Sequence, residues 1–456
     1  MIELRRPLLL VALVVVAVVV AIFAARRNAN VMPSAPPPVV PCTVTIAEPA
    51  GGLASVQLEF DPLALGGRRE LLLAFADARV TRPQVRSFSV TAAGRTIDAA
   101  SDTYHGMLVR RVPLPDRGAS VIVQYSIDPT FFPPGSDLNQ PADARSRITG
   151  DLAVVRSASL LPIIGIPGAV IGVRFVLPVG WVAVTPWRED DDRILVPADG
   201  TGGAEYLALG PFDTRDLSSG TAVIHVVTPG LLTGTAFPIE HILRRELELV
   251  AAPIKRDGPF VAILVPDDFM HGGAAGPHTI VQSRAPEVLA HEVFHWWNDA
   301  TLTAPDAGWF REGLTEYYGI KVAREADAWS VDDEAACLAD LNAEMRVLER
   351  GGARSLIDAS LDPAASRFVY SKGALFWLLV DRRLHASGRY LEEAVRRVVT
   401  SPRQGLTANE LRSVFSTTYG GLLDAEFDEY VFGSGPLPDL ELGLATGRSG
   451  CARSIR

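Results

Sequence analysis

The stretch LAHEVFHWWND, Leu289–Asp299, carries two histidines four residues apart, His291 and His295, with Glu292 directly after the first. On an α-helix, residues i and i+4 share a face, so both imidazoles can reach one metal ion while Glu292 can hold an attacking water. The stretch also suits a core helix, because Val288, Val293, Phe294, Trp296 and Trp297 are all apolar. A third ligand separates the two readings, since a catalytic zinc has three protein ligands and one open position. Glu312, in GWFREGLTEYYG, comes seventeen residues after His295 on a second expected helix. The intervening loop DATLTAPDAG allows the two helices to run antiparallel and brings Glu312 beside the histidines. Glu316, one turn further, shares that face and is either a rival ligand or an acceptor for an imidazole N–H.

Composition limits the alternatives. A chain of 456 residues has room for two or three domains, and 48% hydrophobic with 21% charged residues is a globular balance. The net charge of -10 and the lack of a Lys/Arg cluster argue against a nucleic-acid binder, which needs a basic surface to track phosphates. Three widely spaced cysteines, Cys42, Cys337 and Cys451, rule out a Cys-based zinc site or a disulfide-dense scaffold. One bridge is open to them, with Cys42 to Cys451, near the two ends of the folded part, as the candidate pair.

At the N-terminus, PLLLVALVVVAVVVAIFAA, Pro7–Ala25, runs for 19 residues without a charge between Arg5, Arg6 and Arg26, Arg27. As a helix it spans about 28 Å, close to a bilayer hydrocarbon core. The run is longer than the apolar region of a signal peptide and ends in two arginines, so residues 1–27 are read as an uncleaved single-pass transmembrane anchor. Residues 28–41, NANVMPSAPPPVVP, are a proline-rich linker. The domains after it are therefore expected on the extracytoplasmic side of the membrane.

Residues 42–232 alternate short β-rich runs with Gly/Pro turns, as in SVQLEF, SVIVQYSI and TAVIHVVTP, and are expected to form an antiparallel β-sandwich-like domain. Residues 233–445 read as a mostly α-helical domain with a small sheet, and 446–456 as a tail. Its expected helices are Pro286–Asn298, Phe310–Val322, Asp333–Arg350, Arg367–His385, Leu391–Val399, Ala408–Thr417 and Leu423–Val431. The fold class is thus α+β and multidomain.

The histidine pair followed by WFREG and an aromatic doublet resembles the gluzincin metallopeptidases, among them the aminopeptidase N family and, still more, the glycyl aminopeptidase family. HWWN, then FVYSKGALFWLLVDRRL, then FDEYVFGSGPLP fall in that order, so the likeness covers about residues 255 to 445. The resemblance implies a thermolysin-like catalytic domain holding one Zn2+ through His291, His295 and Glu312. It also implies Glu292 as general base and Tyr370 as donor to the oxyanion, with peptide or protein as substrate.

Two departures accompany it. Sixteen residues separate His295 from Glu312, fewer than in either family. The families' Gly-rich edge-strand motif, which carries a glutamate for the substrate's free amino group, corresponds here to MHGGAAGPHTIVQS. Gly272 and Gly273 fit it as substrate-binding positions, but the glutamate position falls on Ala275. Endopeptidase action is thus at least as well supported as aminopeptidase action. The competing function is a catalytically idle gluzincin-like domain acting as a membrane-tethered binding or assembly protein.

Overall fold

The computed structural model describes residues 37–61, 68–75, 84–104, 107–115, 119–129, 146–219, 222–230, 238–254, 258–266, 269, 273–299 and 301–440. The anchor at 1–27, nearly all of the linker, Gly272, Cys451 and the tail lie outside these residues. Among the described residues no helix is long and apolar enough to cross a membrane.

Up to Gly210 the chain is β-structure. Burial alternates residue by residue along Val39–Thr45, Ala54–Phe60 and Val121–Asp128, the period-two signature of strands with one face on a core. These three lie in an eight-stranded sheet beside two four-stranded ones. Val44, Leu58, Leu73, Val112, Val123, Val155 and Leu207 from the three sheets meet in one core. All the pairings in these sheets are antiparallel except one, where Val39–Thr45 runs parallel to Val170–Val176. Cys42 points inward with Val40 and Val44, and it is buried and free. The bridge left open between Cys42 and Cys451 therefore does not form; Cys337 is disulfide-bonded.

The second layered unit starts earlier than residue 233. Strands β1 (Phe212–Ser219) and β2 (Ala222–Pro229) lie in the stretch read from sequence as the β-rich domain. They join instead a sheet with β3 (Phe260–Leu264), β4 (Gly273–Ala275) and β5 (Thr279–Gln282), in the order β1-β2-β3-β5-β4. β2, β3 and β5 are mutually parallel, and β4 turns back antiparallel on β5 as the edge strand. Between β2 and β3 the helix α1 (Ile239–Val250) packs Ile242, Leu243 and Val250 into the helical core.

The later helices are α2 (Pro286–Asn298), α3 (Gly308–Arg311), α4 (Gly313–Glu325), α5 (Val331–Glu349), α6 (Leu356–Leu361), α7 (Ser366–Ala386), α8 (Leu391–Val399) and α9 (Ala408–Tyr419). Local chemistry accounts for several starts. Pro286 opens α2, where a missing N–H costs nothing. Ser330 caps α5 and Thr407 caps α9, each in a reciprocal capping box. The single helix expected over Phe310–Val322 is interrupted at Glu312, which joins α3 to α4. The helix expected at Leu423–Val431 is a short α turn, Asp424–Glu426, running into a π-helix, Phe427–Phe432.

Small residues let the central helices approach closely. A Cβ on Gly313 would lie 2.7 Å from the Gly373 Cα, and one on Gly319 would lie 2.6 Å from the Glu287 carbonyl oxygen. So α4 is pressed between α2 and α7, and Glu312, at its head, stands between the helices that carry the histidines and Tyr370.

Candidate metal centre

Helix α2 is buried along nearly its whole length, and its apolar and chemical residues occupy different faces. Val293, Phe294, Trp296 and Trp297 pack into the core with Phe260 and Tyr318. His291 and His295 turn toward α4, with their Nε2 atoms 3.3 Å apart. Glu312 Oε2 is 3.8 Å from the first and 3.5 Å from the second. One ligand atom from each of the three residues thus falls within 4.8 Å of the others. A tetrahedral zinc with bonds of roughly 2.1 Å separates its ligand atoms by about 3.4 Å, so the spacing fits that ion.

The outer nitrogens of both rings face acceptors. His291 Nδ1 lies 3.1 Å from Glu316 Oε2, and His295 Nδ1 lies 3.1 Å from both Asn298 Oδ1 and Asp299 Oδ1. At His295 such partners keep the Nδ1 proton in place and leave the Nε2 lone pair for a metal. Glu316 approaches the outer nitrogen of His291 and so stands on the side of the ring away from Glu312. Glu312 is held at both oxygens: Arg311 Nε donates to Oε1 at 2.9 Å and Tyr370 OH to Oε2 at 2.7 Å.

Charge follows from this geometry. Burial disfavours the charged His295 imidazolium, but Asp299 and Glu312 outweigh it and push the group up to about 10. Burial would also raise Glu312, yet His295, Arg311 and His291 hold it below the usual carboxylate range. Asp299, Glu312 and Glu292 around His295 give the centre a negative field of the kind a divalent cation satisfies. Glu292 is also buried, and burial raises its carboxyl above the ordinary value although the two imidazoles pull the other way. Tyr370, stacked on His291, is held well above its usual value by burial and by Glu312, so it stays a donor.

Edge strand β4 closes one side. A Cβ on Gly273 would fall 2.6 Å from Glu292 Cγ and 2.8 Å from Glu292 Oε1, so the strand's backbone rests against the carboxylate where a side chain would collide. Ala275, two residues on, pairs with Ile280 and offers no carboxylate.

The same architecture occurs in solved structures. An aminopeptidase N family protein from Idiomarina loihiensis superposes with a TM-score of 0.69 over 88% of this chain and 77% of its own, at 15% identity. The fold is that of the M1 zinc metallopeptidases. An M1 zinc metallopeptidase from Deinococcus radiodurans, in a mutant bound to a Tyr-Ser-Ala substrate, matches over 88% of this chain and 95% of its own (TM-score 0.53, 18% identity). Native yeast LTA4 hydrolase matches over 91% and 72% (TM-score 0.50, 12% identity). No family model and no curated protein matches the chain. The likeness to the glycyl aminopeptidases continues to rest on the sequence motifs.

On this M1 fold, the structure gathers His291, Glu292, His295, Glu312, Tyr370 and Gly273 into one site. What secures the site was not evident from the motifs. Asn298, fully buried, donates through Nδ2 to the Arg311 carbonyl at 2.9 Å and to Thr315 Oγ1 at 2.6 Å, while its Oδ1 faces His295. It ties the histidine helix to the turn that presents Glu312, across the shortened loop. An Asn three residues after the second histidine is visible in HWWN, but its partner thirteen positions on is not.

Proposed function

We propose that the protein is a membrane-anchored zinc metallopeptidase that hydrolyses peptide bonds outside the cytoplasm, with Glu292 as general base. The observation that carries the reading is the convergence of His291 Nε2, His295 Nε2 and Glu312 Oε2 beside a buried Glu292 and an open strand edge. His291, His295 and Glu312 would hold a zinc ion there, which would supply polarisation of the scissile carbonyl and acidification of the attacking water. Glu292, buried beside the two imidazoles, would take the proton from that water and return it to the leaving amine. Tyr370 donates to Glu312 Oε2 in the resting site and, in this reading, would turn its hydroxyl to the developing oxyanion.

An extended peptide adds to β4 as a further strand, its backbone paired along the edge and its scissile bond carried past Glu292. With Ala275 in place of a carboxylate, the described part of the edge strand offers no partner to a free ammonium, so peptides with blocked N-termini are expected as substrates as well. The apolar run at residues 7–25 supports the anchor, and the disulfide at Cys337 supports an oxidising compartment outside the cytoplasm.

The test uses the full-length protein in detergent. One zinc per chain is expected, together with cleavage of both free and N-blocked peptides. Glu292→Gln should retain the zinc and lose a factor of about 10²–10⁴ in kcat. Stoichiometric zinc with no Glu292-dependent cleavage would favour the idle binding protein instead. Cleavage confined to free N-termini would overturn the reading of Ala275.

A further inference from the structure

Among the described residues, two polar contacts from the β domain, by Glu205 and by Arg147, fall on the segment that carries edge strand β4. Downstream of β4, Glu205 projects from the head of strand Tyr206–Gly210 and is 2% exposed. Its two oxygens accept the His278 backbone N–H at 3.1 and 3.0 Å. His278 Nδ1 lies 2.8 Å from Oε1, and Thr279 Oγ1 donates to Oε2 at 2.9 Å. The same threonine hydroxyl accepts the Tyr206 N–H at 2.8 Å, which closes the contact from the β-domain side.

Between β4 and this cluster stands Gly276. A Cβ there would lie 2.7 Å from the Ala204 carbonyl oxygen and 2.9 Å from Glu205 Oε2, so the hairpin turn is seated directly on the β domain. Upstream of β4, Arg147 Nη1 donates to the Phe269 carbonyl at 2.9 Å, and its guanidinium lies 5.3 Å from the centre of the Phe269 ring. Beneath both contacts, Leu152, Val154, Tyr206 and Ala208 of the β domain pack with Val227, Val261, Ile263 and Val281 of the catalytic sheet.

We propose that Glu205 and Arg147 are positioning residues through which the β domain holds the chain on either side of β4, at His278–Thr279 and at Phe269, and sets that strand's distance from Glu292. The physical argument concerns an edge of three residues. β4 is hydrogen-bonded on one side only, to β5, and a short strand paired on one side has little stiffness of its own. Gly273 rests against Glu292 with no side chain of its own, held by its pairing with Gln282, so contacts on the flanking segments add to the hold of that single ladder. Glu205 supplies the firmer hold because it is desolvated and its oxygens accept from several donors, and hydrogen bonds to a charged acceptor are the stronger kind. Substrate strands are thereby aligned by a residue that never touches them.

This inference rests on the proposed peptidase reading for its kinetic consequence but not for its structural one, and the test keeps the two apart. Full-length Glu205→Ala, Glu205→Gln and Arg147→Ala are compared with the parent by amide hydrogen exchange and by steady-state cleavage of a short and a long peptide. In Glu205→Ala, exchange at residues 273–282 should accelerate at least about tenfold, with α2 protected as in the parent. KM for the long peptide should rise about tenfold while kcat changes less than about threefold, because a lost alignment weakens binding more than chemistry. Glu205→Gln, which keeps one acceptor for the His278 N–H, should recover most of both. Arg147 is exposed, so its replacement should leave the fold intact and reproduce a smaller version of the same pattern.

Unchanged exchange over 273–282 in Glu205→Ala and Arg147→Ala would overturn the proposal. So would faster exchange spread evenly over both domains, which marks a merely structural role. If the parent cleaves no peptide, the peptidase reading fails and the exchange measurement alone decides this one.

Discussion

Two buried clusters in this molecule place a histidine against a carboxylate, and they end in opposite ways. Around His278, each polar atom of Glu205 meets a donor from the protein itself, and the cluster closes on its own hydrogen bonds. Around His295 the outer nitrogen meets Asn298 and Asp299, and that of His291 faces Glu316 at 3.1 Å, while the inner nitrogens crowd together with a carboxylate oxygen. Three like-natured lone pairs within 4.8 Å of one another repel unless a cation joins them. What marks the metal centre is therefore the direction in which its lone pairs point, more than the kinds of residue present. Glu246 on α1 is a third case, with both carboxyl oxygens buried and without a hydrogen-bond partner.

The largest expected effect falls on the metal centre. Asn298→Leu removes the link between His295 Nδ1 and the turn before Glu312 and should weaken zinc binding by about 10–100-fold, read by competition with a chelator. Unchanged zinc affinity with a lowered melting temperature would reduce Asn298 to a packing role. Gly373→Ala tests whether the site depends on close helix approach. Its Cβ would lie 2.8 Å from the Gly313 Cα and 3.3 Å from the Trp309 carbonyl oxygen, backbone atoms with no freedom to yield. A destabilisation of about 1–3 kcal/mol is expected by denaturant unfolding. A neutral result would mean that α4 and α7 can separate without cost.

The smallest effect sharpens the contrast with Glu246. Burial, with Glu325 adding to it and Arg245 opposing, raises this carboxyl well above the usual range. A carboxyl raised in the folded state binds its proton more tightly there than in the unfolded chain. Below the unfolded value of about 4.3 both states are protonated and the group costs nothing. Stability is then lost as pH climbs from there through the folded value. Glu246→Gln should therefore melt with the parent at pH 4 and roughly 2–4 °C above it at neutral pH. A difference independent of pH would show that Glu246 has a partner in solution.

Legibility in the sequence declined with the distance between partners. His291, Glu292 and His295 were readable because a helix converts a four-residue spacing into a shared face, with Pro286 marking where that helix starts. Glu312 was readable because a short loop constrains where the next helix can lie. Glu316 stayed ambiguous until the structure showed which imidazole nitrogen it approaches. The hold of Glu205 on His278, across 73 residues and two domains, has no sequence pattern at all. The assignment of Phe212–Pro229 to the first domain failed for a related reason. Alternation identifies a strand but does not say which sheet it joins, and these two strands belong to the sheet of Phe260–Leu264.

Cysteine pairing shows the same limit. Cys42 and Cys451 stand near the ends of the folded part, yet the alternating burial of Val39–Thr45 carries Cys42 into the β core, where it stays a free thiol. By itself the sequence determined what is local: the helical face of the ligand pair, the strand periods, the helix start at Pro286, and the absence of a carboxylate at Ala275. Only the tertiary structure decided what depends on approach in space: the Nε2–Nε2–Oε2 convergence, the role of Glu316, and the seat of β4 against Glu292. Periodicity is a property of neighbouring residues, whereas the meeting of lone pairs from separate elements is set by how helices and sheets pack.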